Sequence, residues 1–257
     1  MPAEAIVINH HNFDIPVELW VPGGDNSSAA RPALLLLHDE SGPDDFLRAA
    51  AARLSECGYI VALPDLFARR PAPADDSEVA RQDFLFTLPD SEVIGEILAA
   101  LSFLSGHEAV DKNALGVLGW GWGGAFALMA GAHDSRVRAV VDVGGDISYP
   151  SHSQNHTGSP LNFVADIEGA IFAAFAENDV QSPGEIARLR ERLVEHDKIH
   201  EFKVFSGTSG RFWREDTAPA ALLWRRIEQF LADAFTLPSE AEFADGGYAN
   251  EASRLHA

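Results

Sequence analysis

Residues 114–132 constrain the fold more than any other stretch. The short apolar run 114–118 passes directly into Gly119-Trp120-Gly121-Trp122-Gly123-Gly124, and the apolar segment 125–132 follows without a break. A buried strand, a glycine-rich turn and a helix in immediate succession are the parts of a strand–turn–helix unit. The glycines allow positive φ and close approach of one backbone to another.

The same alternation recurs along the chain. Residues 33–37 (Ala-Leu-Leu-Leu-Leu), 59–63, 137–143 and 170–176 are short apolar runs. Such runs fit strands buried on both faces. Stretches 44–57, 91–105, 182–195 and 218–235 have helical spacing, with Gly58 and Gly106 as stops and Ser182-Pro183 as a cap and first-turn pair. Residues 201–205 form the last predicted strand. At the start, Ile6, Ile8, Ile15, Val17, Leu19 and Val21 alternate, which predicts a β-hairpin over 4–22 that turns near His11-Asn12. Residues 66–90, with Pro71, Pro73 and Pro89, read as an excursion or lid. The expected fold is α/β: a doubly wound, mostly parallel sheet with helices on both faces. It forms a single domain over 1–237, followed by an acidic tail over 238–257.

Composition narrows the function. The chain has 257 residues, 39 acidic against 19 basic, and a net charge of -20. Such a surface repels phosphate backbones and anionic membranes, so neither nucleic acid nor a membrane is an expected partner. No run approaches the roughly 18 apolar residues of a membrane span. The start has no basic segment followed by an apolar one, so no signal peptide is read there. Cys57 is the single cysteine. It rules out an internal disulfide or a cysteine-based metal site and fits a cytoplasmic setting.

In a doubly wound sheet, ligands gather at the carboxyl ends of the strands. Here those ends read His38-Asp39-Glu40-Ser41-Gly42, then Pro64-Asp65-Leu66-Phe67-Ala68-Arg69, the glycine turn, Asp179, and Ser206-Gly207-Thr208-Ser209-Gly210-Arg211-Phe212. Gly119, Gly121 and Gly124 also spell G-x-G-x-x-G, with Asp142 downstream, which is the pattern of a dinucleotide site. That pattern normally opens the first strand–helix unit, whereas here at least two such units precede it. No cofactor is therefore expected.

Over about residues 30–235 the chain resembles the dienelactone hydrolase family of α/β-hydrolases. The segment from Gly58-Tyr59 through Pro64-Asp65-Leu66-Phe67-Ala68-Arg69 is a close and fairly specific match. In that family the turn reads Gly-x-Cys-x-Gly-Gly with a nucleophilic cysteine. An acid follows a later strand, and a histidine follows the last. The resemblance puts Gly121 at the nucleophile's place and Gly210 at the histidine's. Asp179 falls in the acid's place and is the catalytic candidate; Asp179 or Asp39 could serve as acid or base. Asp179 can equally be read as a cap on the turn toward Ser182.

A glycine has no side chain to attack a carbonyl or to take its proton. The resemblance therefore implies a hydrolase scaffold with its turn kept and its nucleophile–histidine pair removed. The family's oxyanion hole uses backbone amides, which here would come from Trp122 and from Glu40 or a neighbour. Arg214 matches a substrate-carboxylate arginine of some members, and Asp39 a glutamate that contacts the nucleophile. Trp120, Trp122 and Trp213 are candidates to line the pocket or to pack the core. Ser209 and Ser206 are the candidate substitute nucleophiles. His196/His200 and His152/His156 have zinc-like spacing, but no metal is expected. The expectation is a protein without hydrolase chemistry that binds or transforms a small carbonyl or carboxylate compound. Two others stand beside it. One is an inert interaction protein that meets a protein partner through its acidic surface or tail. The other is an active ester or lactone hydrolase with displaced residues.

Overall fold

The computed structural model describes residues 3–23, 30–70, 77–149, 153–178 and 183–237. Strands β1 (Glu4–His10) and β2 (Phe13–Trp20) are antiparallel and turn through His11 and Asn12, with φ of 49° and 62°. Two successive left-handed residues are what a two-residue hairpin turn with the right twist needs. Then come β3 (Arg31–Leu37), α1 (Asp45–Glu56), β4 (Ile60–Pro64), α2 (Glu78–Thr87) and α3 (Asp90–Gly106). They are followed by β5 (Val110–Trp120), α4 (Trp122–His133), β6 (Val137–Val143), the short α5 (Pro160–Phe163) and β7 (Ala170–Asn178). The chain closes with α6 (Pro183–Glu195), β8 (His200–Ser209) and α7 (Ala218–Thr236), with single 3-10 turns at Val164–Asp166 and Phe212–Arg214.

The eight strands form one sheet in the order β1-β2-β4-β3-β5-β6-β7-β8. Pairing is antiparallel at β1/β2 and β2/β4 and parallel from β4 through β8. The apolar run in β3 is continuous because both faces are covered. Leu35 and Leu37 pack with α3 and α4, whereas Leu34 and Leu36 pack with α1 and α7. No helix among the described residues is long and apolar enough to cross a membrane.

The elements differ from the sequence reading at the places that build the site. β5 runs through Trp120 and α4 begins at Trp122, so the six-residue turn shrinks to Gly121 alone. β8 extends to Ser209. The stretch 66–90 holds the helix α2. Arg69 ties this stretch down by reaching the buried Glu96 at 2.7 Å while its guanidinium lies over the Phe13 ring, and Arg70 pairs with Glu92. A second clasp comes from the segment after β6. His156 Nδ1 lies 2.8 Å from Asp90 Oδ1, the Asn155 side chain donates to the Phe86 carbonyl, and the Asp90 amide donates to the Asn155 carbonyl. The predicted tail 238–257 lies outside the described residues.

Side-chain absence lets α4 settle onto the sheet. A β-carbon on Gly123 would stand 2.6 Å from the Leu37 carbonyl oxygen and 2.5 Å from that of His38. One on Gly119 would collide with the Gly123 carbonyl. The helix therefore meets the ends of β3 and β5 backbone to backbone. Gly123→Ala should lower the urea midpoint by the equivalent of about 1–3 kcal/mol or more, because fixed carbonyls cannot yield to an added methyl.

Candidate active site

Gly121 caps the N-terminus of α4 with φ 51° and ψ -125°. Its amide donates to the Val143 carbonyl, and its carbonyl accepts from Gly124 and Ala125. The turn therefore holds one residue in the left-handed half of backbone space, where a side chain is strained and glycine is not. The first amides of α4 have no partner within the helix and present the positive end of its dipole. A β-carbon on Gly121 would stand 3.0 Å from Glu40 Oε2 and 3.2 Å from the Asp39 β-carbon. The elbow is thus bordered by side chains of the segment that follows β3.

That segment is bound to the segment after β8 by two arginines. Arg214 donates to Asp39 Oδ2 at 2.6 Å through Nη2 and to Asp44 Oδ2 at 2.7 Å through Nη1, and its guanidinium lies over the Phe46 ring. Asp39 is fully buried, and its other oxygen accepts the Ser41 amide at 2.9 Å. Arg211 pairs with Glu40 Oε1 and donates to Ser41 Oγ at 2.9 Å. Gly210, with φ 49°, turns the chain into this pair of arginines.

His38 is not a free base. The Leu66 amide donates to its Nε2, so the proton sits on Nδ1 and goes to the Asp39 carbonyl. Complete burial pushes its pKa below the ordinary value. It is a neutral tie between the ends of β3 and β4.

The structure brings Asp39, Glu40, Gly121 and Arg214 together at one corner, with Gly210 turning the β8 segment toward it. Trp120 is fully buried against Phe46 and Trp224, on the side of α1 and α7. Trp122 packs on the opposite side against His38, Phe67 and Phe126. Trp213 is buried beside Phe212, and its indole N–H has no acceptor among the described residues. All three are enclosed in the core or at its rim. Ser209 is exposed at the end of β8, and among the described residues no histidine side chain bonds to the hydroxyl of Ser206 or Ser209. Asp179 and His152 lie outside the described residues. No group of three or more potential metal ligands occurs among the described residues. Each glycine of the G-x-G-x-x-G pattern meets a packing or backbone demand inside the protein. Gly119 abuts α4, Gly121 takes positive φ, and a β-carbon on Gly124 would strike the Asp142 carboxylate.

Sequence reasoning missed Arg211 and Asp44. In the sequence Asp44 only opens a stretch of helical spacing; in the structure it caps α1 by accepting the Leu47 amide. The one signal was compositional: three carboxylates within 39–44 and two arginines within 211–214, each group at a strand's carboxyl end.

This strand order, with a tight strand-to-helix elbow after β5, defines an α/β-hydrolase fold. The model of the dienelactone hydrolase family matches residues 23–235, and the chain belongs to that family. It is 27% identical over 220 residues to a carboxymethylenebutenolidase of Rhodococcus opacus, covering 80% of this chain and 82% of that one. It is 28% identical over 182 residues to a Bradyrhizobium protein called "Probable 2-oxo-3-(5-oxofuran-2-ylidene)propanoate lactonase", covering 70% of this chain and 73% of that one. Among solved structures, the "Putative Dienelactone Hydrolase" of Klebsiella pneumoniae superposes with a TM-score of 0.82 at 20% identity, over 90% of this chain and 98% of that one.

Removing Arg214 takes from buried Asp39 its 2.6 Å partner and leaves it only the more distant Arg211, at 3.8 Å. Arg214→Ala should cost about 3–5 kcal/mol in urea unfolding. The same variant should change acid stability. Burial pushes the Asp44 carboxyl up, but hydrogen bonds from Arg214 and the Leu47 amide outweigh it and leave the pKa below its ordinary 3.8. A carboxyl depressed in the folded state stabilises it fully above the unfolded value and loses that contribution as pH falls through the folded one. The wild type should therefore lose stability below about pH 4, and Arg214→Ala should lose less over that range.

Proposed function

We propose that this chain retains the elbow scaffold of its family but not the nucleophile–histidine pair, and that it binds or transforms a small carbonyl or carboxylate compound without hydrolysing it. The observation that carries this reading is Gly121: the residue at the elbow has no side chain, and a carboxylate from another segment lies beside it. Gly210, at the start of the segment that holds Arg211 and Arg214, supports the same reading for the histidine. Without a nucleophile and its base, the acyl-enzyme route has no first step. Backbone donors survive such a loss, and the amides at the start of α4 are suited to a carbonyl oxygen.

The proposed ligand class follows from the relatives, which are called a lactonase and a carboxymethylenebutenolidase. Lactones and the keto acids that correspond to them are small compounds with a polarised carbonyl. Asp179 is proposed as the surviving acid of the site, and Trp122 and Glu40 as the source of the amides that face the carbonyl oxygen.

The test pairs hydrolysis with binding. Purified protein should give neither a burst nor steady turnover of p-nitrophenyl acetate or of simple lactones above the buffer rate. The same compounds should show saturation-transfer signals that fall in an Asp179→Asn variant. Turnover above the buffer rate would mean displaced catalytic groups. The absence of both turnover and binding would favour an inert interaction protein.

A further inference from the structure

Three carboxylates stand at this corner, and their oxygens are not equally engaged. Asp39 Oδ1 accepts the Ser41 amide, and its Oδ2 takes Arg214. Asp44 Oδ1 accepts the Leu47 amide, and its Oδ2 also takes Arg214. Glu40 Oε1 takes Arg211, but among the described residues no donor is bound to Oε2. That oxygen is the one 3.0 Å from the point a β-carbon on Gly121 would occupy. Glu40 is also partly open to solvent, with a side-chain exposure of 25% against 0% for Asp39.

A base needs a free lone pair, access to ligand and a fixed orientation. Glu40 meets all three. Arg211 holds one oxygen and is itself held by Ser41 Oγ, so the other oxygen is aimed beside the elbow. There it adjoins the start of α4, whose amides and dipole favour negative charge on a carbonyl oxygen. Asp39, the acid more obvious from the sequence, has both oxygens committed and no exposure.

We infer that Glu40 is the general base of this site and that the reaction it serves is proton transfer next to a carbonyl, an enolisation or a double-bond shift. The inference rests on the reading above that a carbonyl compound binds here. In the forward step the bond between hydrogen and the carbon beside the carbonyl breaks, and the proton goes to Glu40 Oε2. The electron pair becomes a carbon–carbon π bond as the carbonyl π pair moves onto oxygen, next to the first amides of α4. The reverse step returns the proton from Glu40 to the same carbon or to the far end of a conjugated system. No water, oxidant or cofactor is consumed. The charged groups around Glu40 are Arg211 and Asp39, with the Arg214–Asp44 pair beyond Asp39.

The experiment follows deuterium entry into α-ketobutyrate and conversion of the unconjugated lactone α-angelica lactone to its conjugated isomer, in D2O, by NMR. Ligand binding is read from the same samples. The wild type should exchange and isomerise above the buffer rate. Glu40→Gln should reduce both by about 100-fold or more while still showing saturation transfer, since a positioned base contributes on that scale. Glu40→Asp, which keeps a carboxylate but draws it back by one methylene, should fall between the two. Glu195→Gln, a surface charge change far along the chain, should match the wild type. Exchange in Glu40→Gln within a few-fold of wild type would overturn the inference, as would a wild type that binds both probes and exchanges neither. If Glu40→Gln does not fold, Glu40→Asp decides: a rate equal to wild type overturns the inference. A wild type that binds neither probe would remove the reading beneath it as well.

Discussion

Contact between backbones, not between side chains, sets the geometry of this molecule's centre. α4 begins with Gly123 against the carbonyls of Leu37 and His38, and Gly119 lies under the helix with no room for a β-carbon. Apolar cores in general tolerate exchange of one side chain for another of similar volume. This contact has no such tolerance, since carbonyl groups fixed in a sheet ladder cannot repack. It places the end of β3, the end of β5 and the start of α4 within a few ångströms of one another. Everything at the candidate site is appended to that junction: the elbow at Gly121, the turn 39–42, and the arginines that reach it from the far side of the sheet.

The arginines convert proximity into order. β3 and β8 are separated by β5, β6 and β7 in the sheet, yet their following segments are joined through Arg211 and Arg214. Arg214 is half enclosed, packed over Phe46 and shared by two carboxylates, which suits the planar fork of a guanidinium better than a lysine ammonium. Gly121 carries no side chain, and Glu40 Oε2 stands beside it. The corner is acidic by one charge, with three carboxylates to two guanidinium groups. It is in that sense a local version of the whole surface.

Much of the fold was legible because its causes are local. The unbroken run Leu34–Leu37 requires cover on both faces, and the structure supplies it. Gly121 announces a backbone conformation, and the structure shows that conformation. Element ends were less legible. Trp120 looked like part of a turn because it sits between glycines, but the ladder to Val143 carries it into β5. The site network was not legible, because it joins residues about 170 positions apart in the chain. No periodicity links Glu40 to Arg211. Asp39 drew attention through a family likeness, whereas its burial and its fully used oxygens are facts of packing that only coordinates supply.

The clasp between His156, Asn155 and the α2–α3 junction has a consequence for how the molecule opens. Both ring nitrogens of His156 face oxygen, Nδ1 toward Asp90 and Nε2 toward the Phe86 carbonyl, and the Asn155 side chain spans the Phe86 and Thr87 carbonyls. Two segments nearly 70 residues apart thereby share their polar satisfaction. Neither can lift away without parting the buried Asp90 carboxylate from His156. Hydrogen exchange should release the amides of 86–88 and 90 together with those of 153–159, as one cooperative unit of local unfolding. The excursion after β4 is in this respect an extension of the segment after β6.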